Sequence, residues 1–433
     1  MKYFKAVFCT VLVAVLLSGC SFHISSSIED LISPVSPFGD NAYVQEALDS
    51  YAPKGYSLKT PSGGDYIASY NFYDIDKDGD DEAFVFYEPA DNLGSISMAL
   101  IKKLDSKWTV VQNVDGDGKD VYSIDFADVN DDDKDEILIC WNVISNSSNH
   151  TLSVYNVSGE NKKIKLDIIG KPVSVNNYIV VDFKKDKANE LVLFEINSAV
   201  PSAKAELYSL KNNSFALLGE TKLDSHITSY VNLKIEEAEN DVRVYADAIG
   251  SDGSLMLTEI IYWSDSYDSI ISPFYSYSTG ITRDTRRTVK INSGDVNGDK
   301  LIEIPTDYKM KKLPKNIKAV DWKIYKNTVL VHSNYSLAVE NDGYMVMLPD
   351  KVIDEISVSY NSKERLMTVK NKSTKKTVFS IKPVLKVSYD EKDYSDYKKV
   401  YEASGYCYLA REGNDSDIRI TIKDLPQCVK LLN

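Results

Sequence analysis

The chain has 433 residues, 43% of them hydrophobic, which is apolar surface enough for more than one domain and excludes global disorder. A formal charge of −14 excludes a nucleic-acid partner, because phosphate binding needs a basic face. Five cysteines are too few for a disulfide-stapled scaffold, and 29 tyrosines among many β-branched residues favour strands.

The first twenty residues read as targeting rather than fold. A basic head, "MKYFK", precedes an apolar run over residues 6–17 that is short for a bilayer span. The run ends in "LSGC", residues 17–20, which resembles a bacterial lipobox. That resemblance implies a lipoprotein signal peptide over residues 1–19 and lipid on Cys20. The protein is then expected to be anchored to the cell membrane by its N-terminal lipid, on the extracytoplasmic face. Residues 20–42, rich in Ser and Pro, read as a lipidated tether. "AYVQEALDSYAP" is a short helix candidate that stops before Pro53.

Next comes "DIDKDGDDE", residues 74–82, with six acids in nine positions, running directly into the apolar "AFVFY". Weaker versions begin at Asp128, Asp182 and Asp295. Set in register, three loops place oxygen ligands at positions one, three, five and nine. These are Asp74, Asp76, Asp78 and Glu82; Asp128, Asn130, Asp132 and Glu136; and Asp295, Asn297, Asp299 and Glu303. Like charges so close repel unless a cation neutralises them, and Ca²⁺ takes several oxygens at about 2.3–2.6 Å. An EF-hand needs Glu at position twelve; Val85, Ile139 and Thr306 stand there instead.

The third loop carries Lys184 at position three. Asp182, Asp186 and Glu190 are therefore expected to hold no metal, with Lys184 forming an internal ion pair. Metal preference is expected to run from the first loop to the second and then to the loop at Asp295. Position six should be left-handed, which suits Gly79 and strains Lys187 and Lys300. "AFVFY", "ILICW" and "LVLF" read as strands buried on both faces. "VDGDGKD", residues 114–120, lacks the ninth acid and reads as a hairpin turn.

The loops at 74, 128 and 182 recur every 54 residues, and the next follows after 113, about two periods. The missing marker falls near 238, so five repeats are inferred, one of them blank. Four strand candidates per period suggest a propeller blade.

These loops resemble the FG-GAP or VCBS repeats of integrin-α-like β-propellers, which bind Ca²⁺ in a nine-residue loop between two strands of a blade. As a whole the chain resembles surface lipoproteins of Gram-positive bacteria that carry such repeats. The expected fold is mainly β: a β-propeller over residues 43–339, then a small α+β domain over residues 340–433. The pairing of Cys407 with Cys428 stays open, and Cys140 reads as a buried hydrophobe.

His23, His150, His226 and His332 lack metal-site spacing, and no catalytic motif is visible. The expected function is a calcium-stabilised, lipid-anchored binding protein engaging a protein or glycan of the envelope. One alternative is an accessory or scaffold lipoprotein for envelope assembly, export or sensing. Another is a propeller hydrolase or lyase, which aromatics and two or three carboxylates lining a channel would favour.

Overall fold

The structure, a computed structural model, describes residues 39–432 apart from 145–147, 160–162, 212–213, 239–240 and 404. The signal peptide, Cys20 and His23 lie outside the described residues. The expected helix forms over Asp40–Tyr51 and ends at Ala52, whose extended backbone suits the residue before Pro53. Among the described residues no helix is long and apolar enough to cross a membrane.

The chain is mainly β. Among the described residues, six antiparallel sheets of four or five strands follow one another in sequence, with a two-stranded ribbon between the fourth and fifth. The first contains Ser57–Lys59, Asn71–Tyr73, Glu82–Glu88, Ser97–Leu104 and Lys107–Asp115. The second includes Asp120–Ala127, Glu136–Asn142 and His150–Ser158; the third Asn177–Val181, Glu190–Asn197 and Ser202–Lys211. The fourth includes Ile227–Glu237, Val242–Gly250 and Met256–Ser264, so the blank repeat is a full sheet.

Strand periodicity explains how the sheets stack. Side chains alternate faces along a strand, so a strand buried on both sides needs apolar residues at every position. In Glu82–Glu88, Phe84 and Phe86 meet Ile137, Ile139 and Trp141 of the second sheet. Ala83, Val85 and Tyr87 face the other way, onto Val44 and Leu48 of the helix. In Glu136–Asn142, Leu138 and Cys140 turn to Leu191 and Leu193 of the third sheet. Val192 and Phe194 then meet Val244 and Ala246 of the fourth. Tyr245 and Ile260 meet Ile304 and Tyr325 of the fifth. Each fully buried large side chain contributes about 1.5–3 kcal/mol. A buried ion pair, Arg287 to Asp247 at 2.8 Å, ties the segment before the fifth sheet onto the fourth.

The division drawn between residues 339 and 340 runs through the fifth sheet. Val329–Val339 pairs with Tyr344–Leu348, which in turn pairs with the C-terminal strand Val429–Leu431. One hydrophobic cluster joins Leu337 and Val346 to Met367 and Phe379 of the sixth sheet. The sequence texture changes there because the acidic loops stop, while the strands continue. The α-helix of this part is the four-residue Leu425–Cys428.

The "VDGDGKD" turn is not a hairpin. It carries the chain from Lys107–Asp115 in the first sheet to Asp120–Ala127 in the second. Its glycines are needed for close approach, since a Cβ on Gly116 would lie 2.6 Å from the Trp141 ring. Cys140, Cys407 and Cys428 are free thiols.

Candidate cation loops

Each of the first three acidic loops joins two successive strands of its sheet. Tyr73, Ala127 and Val181 end the incoming strands, and Glu82, Glu136 and Glu190 start the outgoing ones. For the loop at Asp295 the incoming side is the isolated bridge from Gly294 to Glu303.

All four loops share one backbone frame. The first Asp accepts backbone N–H bonds from positions five and six. Asp74 takes those of Asp78 and Gly79 at 3.0 Å each, and Asp182 takes those of Asp186 and Lys187 at 3.2 and 2.8 Å. Position five accepts from position seven, as Asp132 does from Lys134 and Asp299 from Leu301. The ninth-position glutamate reaches back to the amide of position two: Ile75, Val129, Phe183 and Val296, at 2.9–3.2 Å. Position six is left-handed in every loop, with φ of 92° at Gly79, 65° at Asp133 and 72° at Lys187 and Lys300. Position four is left-handed too, at Lys77, Asp131, Lys185 and Gly298. Two left-handed residues fold the chain tightly enough to turn alternate side chains inward.

The ninth-position glutamates are the buried centre. Glu82, Glu136 and Glu303 are wholly inaccessible, and Glu190 is 5% exposed. Burial, aided by Asp132 and Asp128, pushes the Glu136 carboxyl up to about 7. Burial also raises Glu82, Glu190 and Glu303. Among the described residues, Asp74, Asp76 and Asp78 bring carboxylate oxygens within 4.8 Å of one another, a group that could hold a metal ion.

The loops differ in what faces that centre. In the first, Lys102 from Ser97–Leu104 enters from the neighbouring strand and is 3% exposed. Its Nζ lies 3.0 and 2.8 Å from the two oxygens of Asp76, 2.8 Å from Asp78 and 2.5 Å from Glu82. Burial works against its charge, but these bonds hold it above the usual lysine range.

In the second loop, Asn130 donates to Glu136 at 2.6 Å, and its Oδ1 is buried with no hydrogen-bond partner. An orphaned oxygen at position three fits a cation ligand. In the loop at Asp295, Asn297 and Ser333 donate to Glu303 at 2.7 and 3.0 Å. In the third, Lys184 does not form the expected internal ion pair; its ammonium lies over the Trp263 ring, 4.3 Å from the centroid. In the blank repeat, Arg243 binds Glu236 at 2.8 Å and Asp241 at 2.9 Å, so a built-in guanidinium holds that turn.

Neighbouring turns are also tied to each other. Lys77 donates to the Asp133 carbonyl at 2.8 Å, and Asn189 to the Asp128 carbonyl at 2.8 Å. Lys185 donates to the Ala238 carbonyl at 2.5 Å, and the Ile302 amide to Glu236 at 2.6 Å.

A second feature escaped sequence reading. The first strands of the second, third and fourth sheets border one cavity of about 450 Å³, lined by Tyr122, Asp125, Phe126, Tyr178 and Asn232, with Asp65. Asp125 accepts a hydrogen bond from the Tyr178 hydroxyl, and burial raises its carboxyl. Beside the cavity, His150 stacks on Tyr122 at 4.1 Å, and burial pushes it down to about 4. The lining residues come from four repeats, Asp65 belonging to the first, so no single stretch of sequence displays them together.

No family model and no curated protein matches this chain. Solved structures similar to it include the exotype rhamnogalacturonan lyase YesX and the Bacillus licheniformis rhamnogalacturonan lyase PL11. Each is 10% identical, with 74% of this chain and 71% of that chain covered, at a TM-score of 0.29. At that score the likeness carries no argument about fold or chemistry.

Proposed function

We propose that this chain is a lipid-anchored binding protein of the FG-GAP/VCBS type, whose sheets are blades of a β-propeller and whose acidic loops at Asp128 and Asp295 are stabilised by calcium. Its partner is a protein or glycan of the cell envelope. The observation that carries the reading is the cavity bordered by three successive first strands. Tyrosine rings and polar edges in one open cavity suit sugar rings or an extended peptide. Support for calcium comes from the shared loop frame and the orphaned oxygen of Asn130.

The test is co-sedimentation of the detergent-solubilised full chain with purified cell-wall glycan and with envelope protein, with and without calcium. Asp65→Ala, at the exposed rim of the cavity, is expected to weaken retention about tenfold, a loss of roughly 1.4 kcal/mol. Equal retention of the two forms would refute the cavity as the binding site. For the anchor, Cys20→Ser is expected to move the protein from the membrane pellet to the soluble fraction.

A second reading has an observation of its own. Asp65 and Asp125 border the cavity with tyrosines beside them, which suits a hydrolase or lyase. Release of new reducing ends or unsaturated sugars from cell-wall glycan, lost in Asp125→Asn, would favour it.

A further inference from the structure

We propose that the ammonium of Lys102 is the resident cation of the first loop and keeps divalent ions out of it. The inference departs from the expectation that this loop, the fullest match to the nine-residue pattern, is the strongest metal site.

The geometry carries it. Asp76, Asp78 and Glu82 hold positions three, five and nine, and all three contact the one Nζ, at 2.5–3.0 Å. An ammonium has three N–H donors, and three carboxylates receive them. Glu82 has no solvent access, so moving Lys102 out would leave a buried carboxylate with the Ile75 amide but without a countercharge until an ion arrived. Asp74, the acid at position one, is engaged by the amides of Asp78 and Gly79. An ammonium and a divalent ion cannot share the same few ångströms, since like charges repel and the repulsion is strongest on the buried Glu82 side of the site.

Strand register shows that the arrangement is particular to this loop. Ala83 pairs with Ile101, so Glu82 stands opposite Lys102. By the same step, Glu136 stands opposite Asn156 and Glu190 opposite Ser209. Glu303 pairs with Ile324. One of the four positions across from the ninth-position glutamate is therefore cationic, and it faces the loop richest in acids. The first loop can close its turn without a solute ion, as the blank repeat does with Arg243.

The inference rests on the cation-loop reading only for the second and Asp295 loops, and the experiment separates the two. Bound calcium is counted by equilibrium dialysis of the detergent-solubilised full chain, for wild type, Asp76→Asn, Asp128→Asn and Lys102→Met. Asp76→Asn is expected to bind as many ions as wild type, Asp128→Asn one fewer and Lys102→Met one more. Loss of an ion in Asp76→Asn, or no gain in a folded Lys102→Met, overturns the inference. A wild type that binds no calcium removes the reading of the other loops; a gained ion in Lys102→Met would still support this one.

Acetylation of the unmutated chain gives a measurement free of folding effects. Lys102 is expected to resist acetic anhydride equally in EDTA and in millimolar calcium. Labelling that appears with calcium would mean the ammonium had been displaced, and the inference would fall.

Discussion

The Nζ of Lys102 lies 2.5 Å from a Glu82 carboxylate that has no contact with solvent, and the two residues sit on adjacent strands twenty positions apart. Breaking a buried pair by removing one partner costs about 3–5 kcal/mol, because the other charge is left alone. Without calcium, Lys102→Met and Glu82→Gln are each expected to destabilise by about 3 kcal/mol. The double variant should lose clearly less than the sum. Urea melts of the four forms measure the coupling, and simple additivity would contradict the pairing.

Arg287 and Asp247 form a second pair, both fully buried. The guanidinium also donates to Ile291 and Thr285 carbonyls, which an ammonium cannot do in the same planar geometry. Arg287→Lys is therefore expected to cost about 2–3 kcal/mol despite keeping the charge. Thermal unfolding compared with wild type tests this, and a variant within 0.5 kcal/mol, roughly the noise of a surface substitution, would refute it.

Backbone strain predicts opposite signs at equivalent positions. Gly79 and Lys300 both occupy position six with positive φ. Gly79→Ala is expected to lower stability by about 1 kcal/mol, and Lys300→Gly to leave it unchanged or raise it by up to about 1 kcal/mol. Paired denaturant melts in EDTA check both.

His150 gives a pH dependence. Burial holds it near 4, against about 6.5 in an unfolded chain. Between those values the unfolded chain binds a proton that the folded chain refuses, so this residue's contribution is lost as pH falls from 6.5 toward 4. The full loss is about 3 kcal/mol. The buried glutamates titrate with the opposite sign, so the readout is wild type minus His150→Gln across that window. A flat difference would show that the ring stays accessible to protons.

The loops were legible in the sequence because their geometry is local. The Asp caps, the ninth glutamate and the left-handed sixth position all act within nine residues, and the third loop keeps the frame although the Lys184 ammonium sits over the Trp263 ring. Both-face burial was legible for the same reason: Ala83 to Tyr87 are apolar at every position. Lys102 was not, because it meets Glu82 only through strand register, and a lysine after "SMALI" reads as the solvated end of a strand. The cavity draws its lining from four repeats and has no local signature. The boundary at 340 followed the disappearance of acids, while hydrogen bonding between Val339 and Tyr344 continues the sheet.

The links between turns, such as Lys77 to Asp133 and Asn189 to Asp128, have a mechanical consequence. Under the proposed function, with one end held and a partner gripped elsewhere, load would cross the sheet boundaries. Side chains that staple each turn to its neighbour oppose peeling of single sheets, so yielding is shared along the row. Calorimetry is accordingly expected to show one transition for the first four sheets, and separate peaks would mean the staples bear no weight.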